Sequence, residues 1–202
     1  MIGPRQHGES RHPSQLHAVF RARDVEALGI SRSGLRAWLR DGTAERLGRG
    51  LYRLVDAELS EHETIAMVAA RVPRAVVCLL TALSVHGIGT QSPREVWIAL
   101  DRKARRPRLG ALPVRVVRFS GPMLTYAVET REIQGVPVRI TSPARTVVDC
   151  FRYRNKTGLD VALEALRDAL ATRRASVAEI LRIAEVGRVR SVIQPYMEAT
   201  VA

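Results

Sequence analysis

Residues 20–54 read FRARDVEALGISRSGLRAWLRDGTAERLGRGLYRL, and this stretch decides the fold of the N-terminal part. ARDVEALG is a short helix that stops at Gly29, the residue type best suited to a left-handed C-terminal turn. Ser31 stands as N-cap of the next helix, with Ile30 placed to staple onto Leu35. From Arg32 to about Arg40, Leu35, Trp38 and Leu39 fall on a core-facing side. Arg32, Arg36 and Arg40 recur every four residues as a stripe beside it, and Asp41-Gly42 ends the helix. Two amphipathic helices across a three-residue turn with a glycine, the second Arg-striped, form the helix-turn-helix pattern. AERL and LYRL then make two short strands around Gly48-Arg49-Gly50, a hairpin with an arginine at its tip. A hairpin in that position is a wing. Arg49 is placed to reach a minor groove or a phosphate, with Arg46 and Arg53 supporting it from the strands. The alternative is a plain helix pair with a solvated Arg face; the order and spacing of the three features favour the winged helix. A three-helix core also needs a helix before the quoted stretch. Only SQLHAVF, after Pro13, is available, so that helix is very short or starts irregularly within 4–17.

The charge of the chain agrees with this reading. Its 202 residues hold 32 Lys+Arg against 20 Asp+Glu, a formal +12, with a pI near 11.1. Such an excess predicts a polyanionic partner, through counterion release from a phosphate backbone or attraction to an anionic surface. All but Lys103 and Lys156 of the cations are arginine. A GC-rich genome explains that ratio, but not the excess over acids. Hydrophobic residues at 46% and charged residues at 26% are globular proportions and exclude wholesale disorder. Cys78 and Cys150 both lie in apolar runs, which points to buried thiols and not to a secreted disulfide framework. No secretory h-region opens the chain, and no apolar run approaches the roughly 18 residues of a membrane span. The expectation is a cytoplasmic protein with no membrane association.

No internal repeat divides the chain. Residues 1–13, with Gly3, Pro4, Gly8 and Pro13 among polar residues, read as a loose arm. Residues 14–56 form the winged helix, and 54–58 are the junction. Ser60-Glu61-His62-Glu63 fits a capping box and opens a second domain at 60–202. There AVVCLLTALSVHGI reads as a strand leading into a helix, and EVWIAL, VRVVRF and VPVRIT as strands. Ser142-Pro143 caps the helix PARTVVDCFRY. LDVALEALRDAL follows, with Leu159, Ala162, Leu163, Leu166 and Leu170 on one face. SVAEILRIAEV and SVIQPYMEAT are further helices, the last kinked or opened at Pro195. The predicted fold is α+β: an N-terminal winged helix-turn-helix and a mixed α+β domain ending in helices.

On these residues the chain resembles the AbiEi family, antitoxins and autorepressors of type IV toxin–antitoxin systems. ALGISRSGLRAWLRDGTAERLGRGLYRL looks like the family's winged helix. RVPRAVVCLLTALSVHGIGTQSPREVWIAL, SPARTVVDCFRYRNKTGLDVALEAL and IQPYMEA look like its C-terminal domain. The resemblance runs from about residue 20 to the end; the short first helix and the polar arm depart from it. It implies a non-enzymatic protein that needs no cofactor. Its winged helix would bind double-stranded DNA at inverted repeats in the promoter of its own operon. Its C-terminal domain would counter a nucleotidyltransferase-like toxin encoded beside it, without a stable complex. Mapped here, the DNA contacts fall on Ser31, Arg32, Ser33, Arg36 and Arg40, with Arg49 at the wing.

Two other constellations stand out. Arg102, Lys103, Arg105, Arg106 and Arg108 make the densest basic run, just after the strand EVWIAL. They form either a second phosphate-binding loop or a solvated one. The same place offers an enzyme alternative, because WIALDRK resembles half of a PD-(D/E)xK metal-dependent nuclease site. Asp101 would share a metal with a second carboxylate while Lys103 positions the attacking water. Glu95, Glu129 and Glu132 are the candidates for that second carboxylate, and none has a Pro-Asp context. The histidines and cysteines show no metal-ligand spacing, so no metal site is expected. His86 reads as a capping or core residue. Asp149 reads as the partner of Arg145 four residues earlier, or else as a polar group in a cleft.

Overall fold

The computed structural model describes residues 16–58 and 60–201, so the expected arm at 1–13 lies outside the described residues. The chain divides into two compact units, residues 1–63 and 64–202.

The first unit runs β1 (Val19–Arg21), α1 (Ala22–Ala27), α2 (Arg32–Asp41), β2 (Ala44–Gly48) and β3 (Leu51–Leu54). The strands form an antiparallel sheet in the order β1-β3-β2. Helix pair followed by hairpin is the helix-turn-helix and wing of a winged helix, with strand β1, in place of the expected first helix, preceding the pair among the described residues. The local signals act as read. Ser31 Oγ accepts the N–H of Gly34 at 3.3 Å, Gly29 turns with φ +73°, and Gly42 closes α2 with φ +82°. The core is small: Phe20, Val25, Leu35 and Ala44, with Leu16, Ile30, Trp38, Leu39, Tyr52 and Leu54 packed around them. Phe20 stacks on Tyr52 with ring centroids 5.8 Å apart and meets Trp38 edge-on at 6.5 Å.

Phe20 also corrects the reading of SQLHAVF as a helix. Val19–Arg21 is a strand, Leu16 to Ala18 carry no helix, and residues 14 and 15 lie outside the described residues. The free edge of β3 needs backbone partners, and β-branched Val19 and aromatic Phe20 are suited to supply them. The unit ends in the predicted capping box. Ser60 Oγ accepts the Glu63 N–H at 3.3 Å, and Glu63 Oε2 accepts that of Ser60 at 2.8 Å. Glu63 Oε1 takes the N–H of Ala18 at 2.8 Å, so the carboxylate ties strand approach and helix start together. Burial pulls the Glu63 carboxyl upward, but the hydrogen bonds from Ser60 and Ala18 outweigh it and hold it below the usual range.

That box opens α3 (Glu61–Arg71). The second unit continues with β4 (Val76–Val77), α4 (Leu79–His86), β5 (Val96–Asp101), β6 (Val114–Phe119), β7 (Val128–Ile133) and β8 (Val136–Thr141). Its helical third is α5 (Pro143–Arg152), α6 (Arg154–Thr157), α7 (Leu159–Ala171), α8 (Val177–Val186) and α9 (Arg190–Val201). The mixed sheet has the order β6-β5-β4-β8-β7, with β5/β6 and β4/β8 parallel. Helix α5 is the centre of the core: every residue from Ala144 to Phe151 is buried.

Three elements differ from expectation. Strand β7, VETREI, has no apolar alternation to announce it in the sequence; it is an edge strand whose place is set by pairing with β8. Helix α7 buries Val161, Ala162, Ala165, Leu166 and Ala169, while Leu159 stays 37% exposed and Leu163 and Leu170 are only half-buried. Alanines at 165 and 169 let α7 lie close against α5, which turns the leucine-rich face aside. Helix α9 runs from Arg190 through Pro195 to Val201 as one element and does not open at the proline. Both cysteines are free, buried thiols, as expected. Among the described residues, no helix is long and apolar enough to cross a membrane.

Arginines clamp the second unit together. Arg139 donates to the carbonyls of Arg74 (3.0 Å) and Leu124 (3.2 Å). Arg145, fully buried, donates from Nε to Asp149 Oδ2 at 2.9 Å and from its two other nitrogens to the carbonyls of Tyr126 (2.6 Å) and Met123 (2.8 Å). The predicted Arg145–Asp149 pair is therefore a core element with no exposure on either side chain, not a cleft. Burial pushes the Asp149 carboxyl up to about 6 against the pull of Arg145, and its Oδ1 lacks a hydrogen-bond partner among the described residues. His86 is a core residue: Nε2 donates to the Thr141 carbonyl at 2.6 Å, and burial lowers its pKa.

Candidate nucleic-acid interface

The eight predicted residues of the first unit fall into two groups once their contacts are known. One group is engaged inside the fold. Ser31 caps α2, and its Oγ lies 2.7 Å from Ser33 Oγ. Arg32 is exposed, but its Nε pairs with Glu26 Oε1 across the helix-helix turn at 2.8 Å. Arg53 pairs with Glu45 Oε1 at 2.6 Å, the residue directly opposite it in the hairpin register. Arg46 donates from Nε to the Gly48 carbonyl at 3.0 Å, where the β2/β3 register shifts.

The other group is Arg36, Arg40 and Arg49. All three are exposed, and none has an ion pair or a side-chain hydrogen bond among the described residues. Arg36 and Arg40 lie one turn apart on α2. Asp41, the acid next to Arg40, has its hydrogen bonds elsewhere: its Oδ1 accepts the N–H (3.0 Å) and hydroxyl (2.7 Å) of Thr43, which hold its carboxyl below the usual range, with the charge of Arg40 adding a smaller pull in the same direction. Arg49 occupies the two-residue turn with Gly50, whose φ of +70° is the left-handed conformation the turn requires. Sequence spacing placed Arg32, Arg36 and Arg40 on one stripe and Arg46, Arg49 and Arg53 on the hairpin, but could not separate those held by Glu26 and Glu45 from those without an ion pair among the described residues.

The surplus charge, however, is not in this unit. Residues 1–63 hold 10 Lys+Arg against 9 Asp+Glu, and residues 64–202 hold 22 against 11. The basic run after β5 contributes five of those cations, Arg102, Lys103, Arg105, Arg106 and Arg108, all exposed and none ion-paired among the described residues. Both roots of the run are fixed. Arg118 Nη1 donates to the carbonyls of Asp101 (2.9 Å) and Ala104 (2.8 Å), and the Tyr153 hydroxyl donates to the Arg118 carbonyl at 2.7 Å. At the far end Leu109 is buried, and Arg71 Nη1 donates to its carbonyl at 3.4 Å.

The carboxylates of the nuclease alternative do not converge. Asp101 Oδ1 accepts the Lys103 N–H at 2.6 Å, which makes it a turn residue. Glu95 lies before the opposite end of β5, about 20 Å along the strand, and is paired with Arg115 at 2.9 Å. Glu129 and Glu132 are on β7, three strand spacings or about 14 Å from β5. Among the described residues no group of three His, Cys, Asp or Glu is placed to hold a metal.

A winged helix-turn-helix joined to a mixed α+β unit defines a class, the two-part transcriptional regulator. Two family models say which. The one described as "Transcriptional regulator, AbiEi antitoxin" matches residues 14–55, and the "AbiEi antitoxin C-terminal domain" matches residues 75–195. The chain belongs to the AbiEi antitoxin family. It is also similar to the crystal structure of the RV2827C protein from Mycobacterium tuberculosis. The TM-score is 0.53 at 17% identity, over 84% of this chain and 67% of that one, a likeness of fold. No curated protein matches it in sequence.

Proposed function

We propose that the chain is the antitoxin of a type IV toxin–antitoxin system and represses its own operon by binding inverted repeats in the promoter through its winged helix. The observation that carries the reading is the exposure of Arg36, Arg40 and Arg49 with no ion pair or side-chain hydrogen bond among the described residues, two on the second helix of the motif and one at the wing tip. In a helix-turn-helix the second helix enters the major groove, where an arginine fork matches guanine O6 and N7 or a phosphate. Ser33, exposed in the first turn of α2, adds a short polar contact. Ser31, Arg32, Arg46 and Arg53 set the shape that presents these groups, and they contact DNA only in so far as their internal bonds leave donors over.

The family membership supports the antitoxin role. The finer reading is that the second unit counters a nucleotidyltransferase-like toxin encoded beside it without forming a stable complex. Co-expression with that toxin should restore growth, while the two proteins elute separately from a sizing column.

The test of the DNA half is fluorescence-anisotropy binding to the region upstream of the chain's own gene, against scrambled DNA, over several salt concentrations. Selective binding that Arg36→Ala and Arg40→Ala abolish is the expected result. If either arginine reads a guanine, its loss costs ~1–3 kcal/mol and relaxes preference at one base pair. Equal, steeply salt-dependent binding to both DNAs would reduce the winged helix to a scaffold.

A further inference from the structure

The charge that makes this chain basic lies outside the unit that carries the winged helix, and that asymmetry calls for its own account. We propose that Arg102–Arg108 is a second DNA-binding element, an arm that lays Arg105, Arg106 and Arg108 into a narrow minor groove. The inference rests on the reading of the chain as a DNA-binding protein and adds a site on the second unit.

Three features of the loop carry it. Its five cations are exposed and unpaired among the described residues, so none is neutralised in advance. Its roots are tied to the fold, by Arg118 on the Asp101 and Ala104 carbonyls at one end and by buried Leu109 at the other, while the cations between them stay exposed. Between the roots, residues 105–109 form neither helix nor strand. Pro107 fixes its own φ near −65° and confines Arg106 to extended conformations. An extended Arg-Arg-Pro-Arg segment is slim, with its guanidinium groups spread along the chain. The minor groove of B-DNA, about 6 Å wide, admits such a segment and excludes a helix. A-tracts narrow it further and concentrate the negative potential that draws arginine. The minor groove of duplex RNA is wide and shallow and offers no such fit.

The loop's partner is therefore the A·T-rich minor groove of DNA, read by width and potential. The winged helix would choose the operator, and the arm would supply affinity and a preference for A·T-rich sequence wherever it lands.

The full-length chain would be titrated by fluorescence anisotropy with three short duplexes that lack the operator: A·T-rich, G·C-rich, and the G·C sequence with inosine for guanine. Inosine removes only the amino group that guanine projects into the minor groove, so the inosine duplex presents an A·T-like minor groove under a G·C-like major groove. The expected order is A·T and inosine duplexes equal, and both tighter than G·C. The triple variant Arg105→Ala, Arg106→Ala, Arg108→Ala should erase that order and lower the slope of log K against log salt by about 2–3. The triple lysine variant should keep most of the slope and lose the order, since a point charge lacks the flat fork. The double variant Arg36→Ala, Arg40→Ala should leave the order intact.

Persistence of the order in the triple alanine variant would overturn the proposal, as would a loss equal on all three duplexes, or duplex RNA binding as tightly as A·T DNA. Selective operator binding with no A·T preference would sink the arm and leave the winged-helix reading standing. Failure to bind any DNA would remove both. All three side chains are exposed, so an unchanged melting temperature confirms that the variants report on binding and not on folding.

Discussion

The two units use arginine in opposite ways. In the first, Arg32 and Arg53 are matched by Glu26 and Glu45 at the surface, and the unit is close to neutral. In the second, one arginine is buried at the centre of the core while a run of five exposed cations has no ion pair among the described residues. An exposed, matched arginine adds little stability, because solvent and salt screen it. A buried one cannot be removed without stranding its partner. Mutational sensitivity should therefore run opposite to visible charge.

The largest effect is expected at the buried pair. Arg145→Ala strands the Asp149 carboxylate and leaves two carbonyls without their donor, so it should cost about 3–5 kcal/mol in urea unfolding. A loss below 1 kcal/mol would mean the core tolerates the stranded acid and would erase the contrast. Ser31→Ala and Ser142→Ala come next. Each removes an N-cap, one per unit, and should cost ~1 kcal/mol. Comparable losses would show that caps act alike in both units and that the contrast is one of charge alone. Arg53→Ala should cost no more than ~1 kcal/mol, and the fully exposed Arg32→Ala should be the smallest of all. A larger loss at Arg53 would make its half-buried pair with Glu45 a structural brace of the wing.

Acid should also separate the units. Glu63, held below the usual carboxylate range, contributes stability that is present above its unfolded pKa and lost as pH falls through its lower folded value. Asp149, raised from 3.8 to about 6, binds its proton more readily folded than unfolded. Its effect therefore runs the other way: stability rises as pH falls from about 6 towards 4. Unfolding of the wild type and of Asp149→Asn, followed between those values, should show the wild type gaining on the variant as acid is added. Parallel curves would mean the carboxylate keeps its ordinary pKa in the core.

Much of this was legible in the sequence, and the rest was hidden for physical reasons. Ser31, Gly29, Gly42 and Gly50 announce their elements because capping and left-handed turns depend on single residue types. Strand β1 is three residues long and exists because β3 offers it an edge, which no local pattern encodes. Strand β7 is polar for the same reason: pairing with β8, not burial, places it. The buried face of α7 is hidden in the sequence because alanines, weak in any hydrophobicity count, are what close packing selects. Of the candidate site, the Arg stripe and the wing tip could be read from spacing. The Arg32–Glu26 pair spans six residues across a turn and needed the helix angle. The uneven distribution of charge needed only the boundary between the units.

The clamps formed by Arg118, Arg139 and Arg145 bear on how this sequence can vary. Each makes two or three bonds from a single guanidinium, and Arg139 and Arg145 spread theirs over separate nitrogens of the planar fork. A lysine ammonium would keep the charge and lose that spread. A genome drifting toward lysine codons could exchange Arg36, Arg40 or the loop arginines at the cost of some recognition. At Arg139 and Arg145 the same drift would be blocked by folding before binding was ever tested.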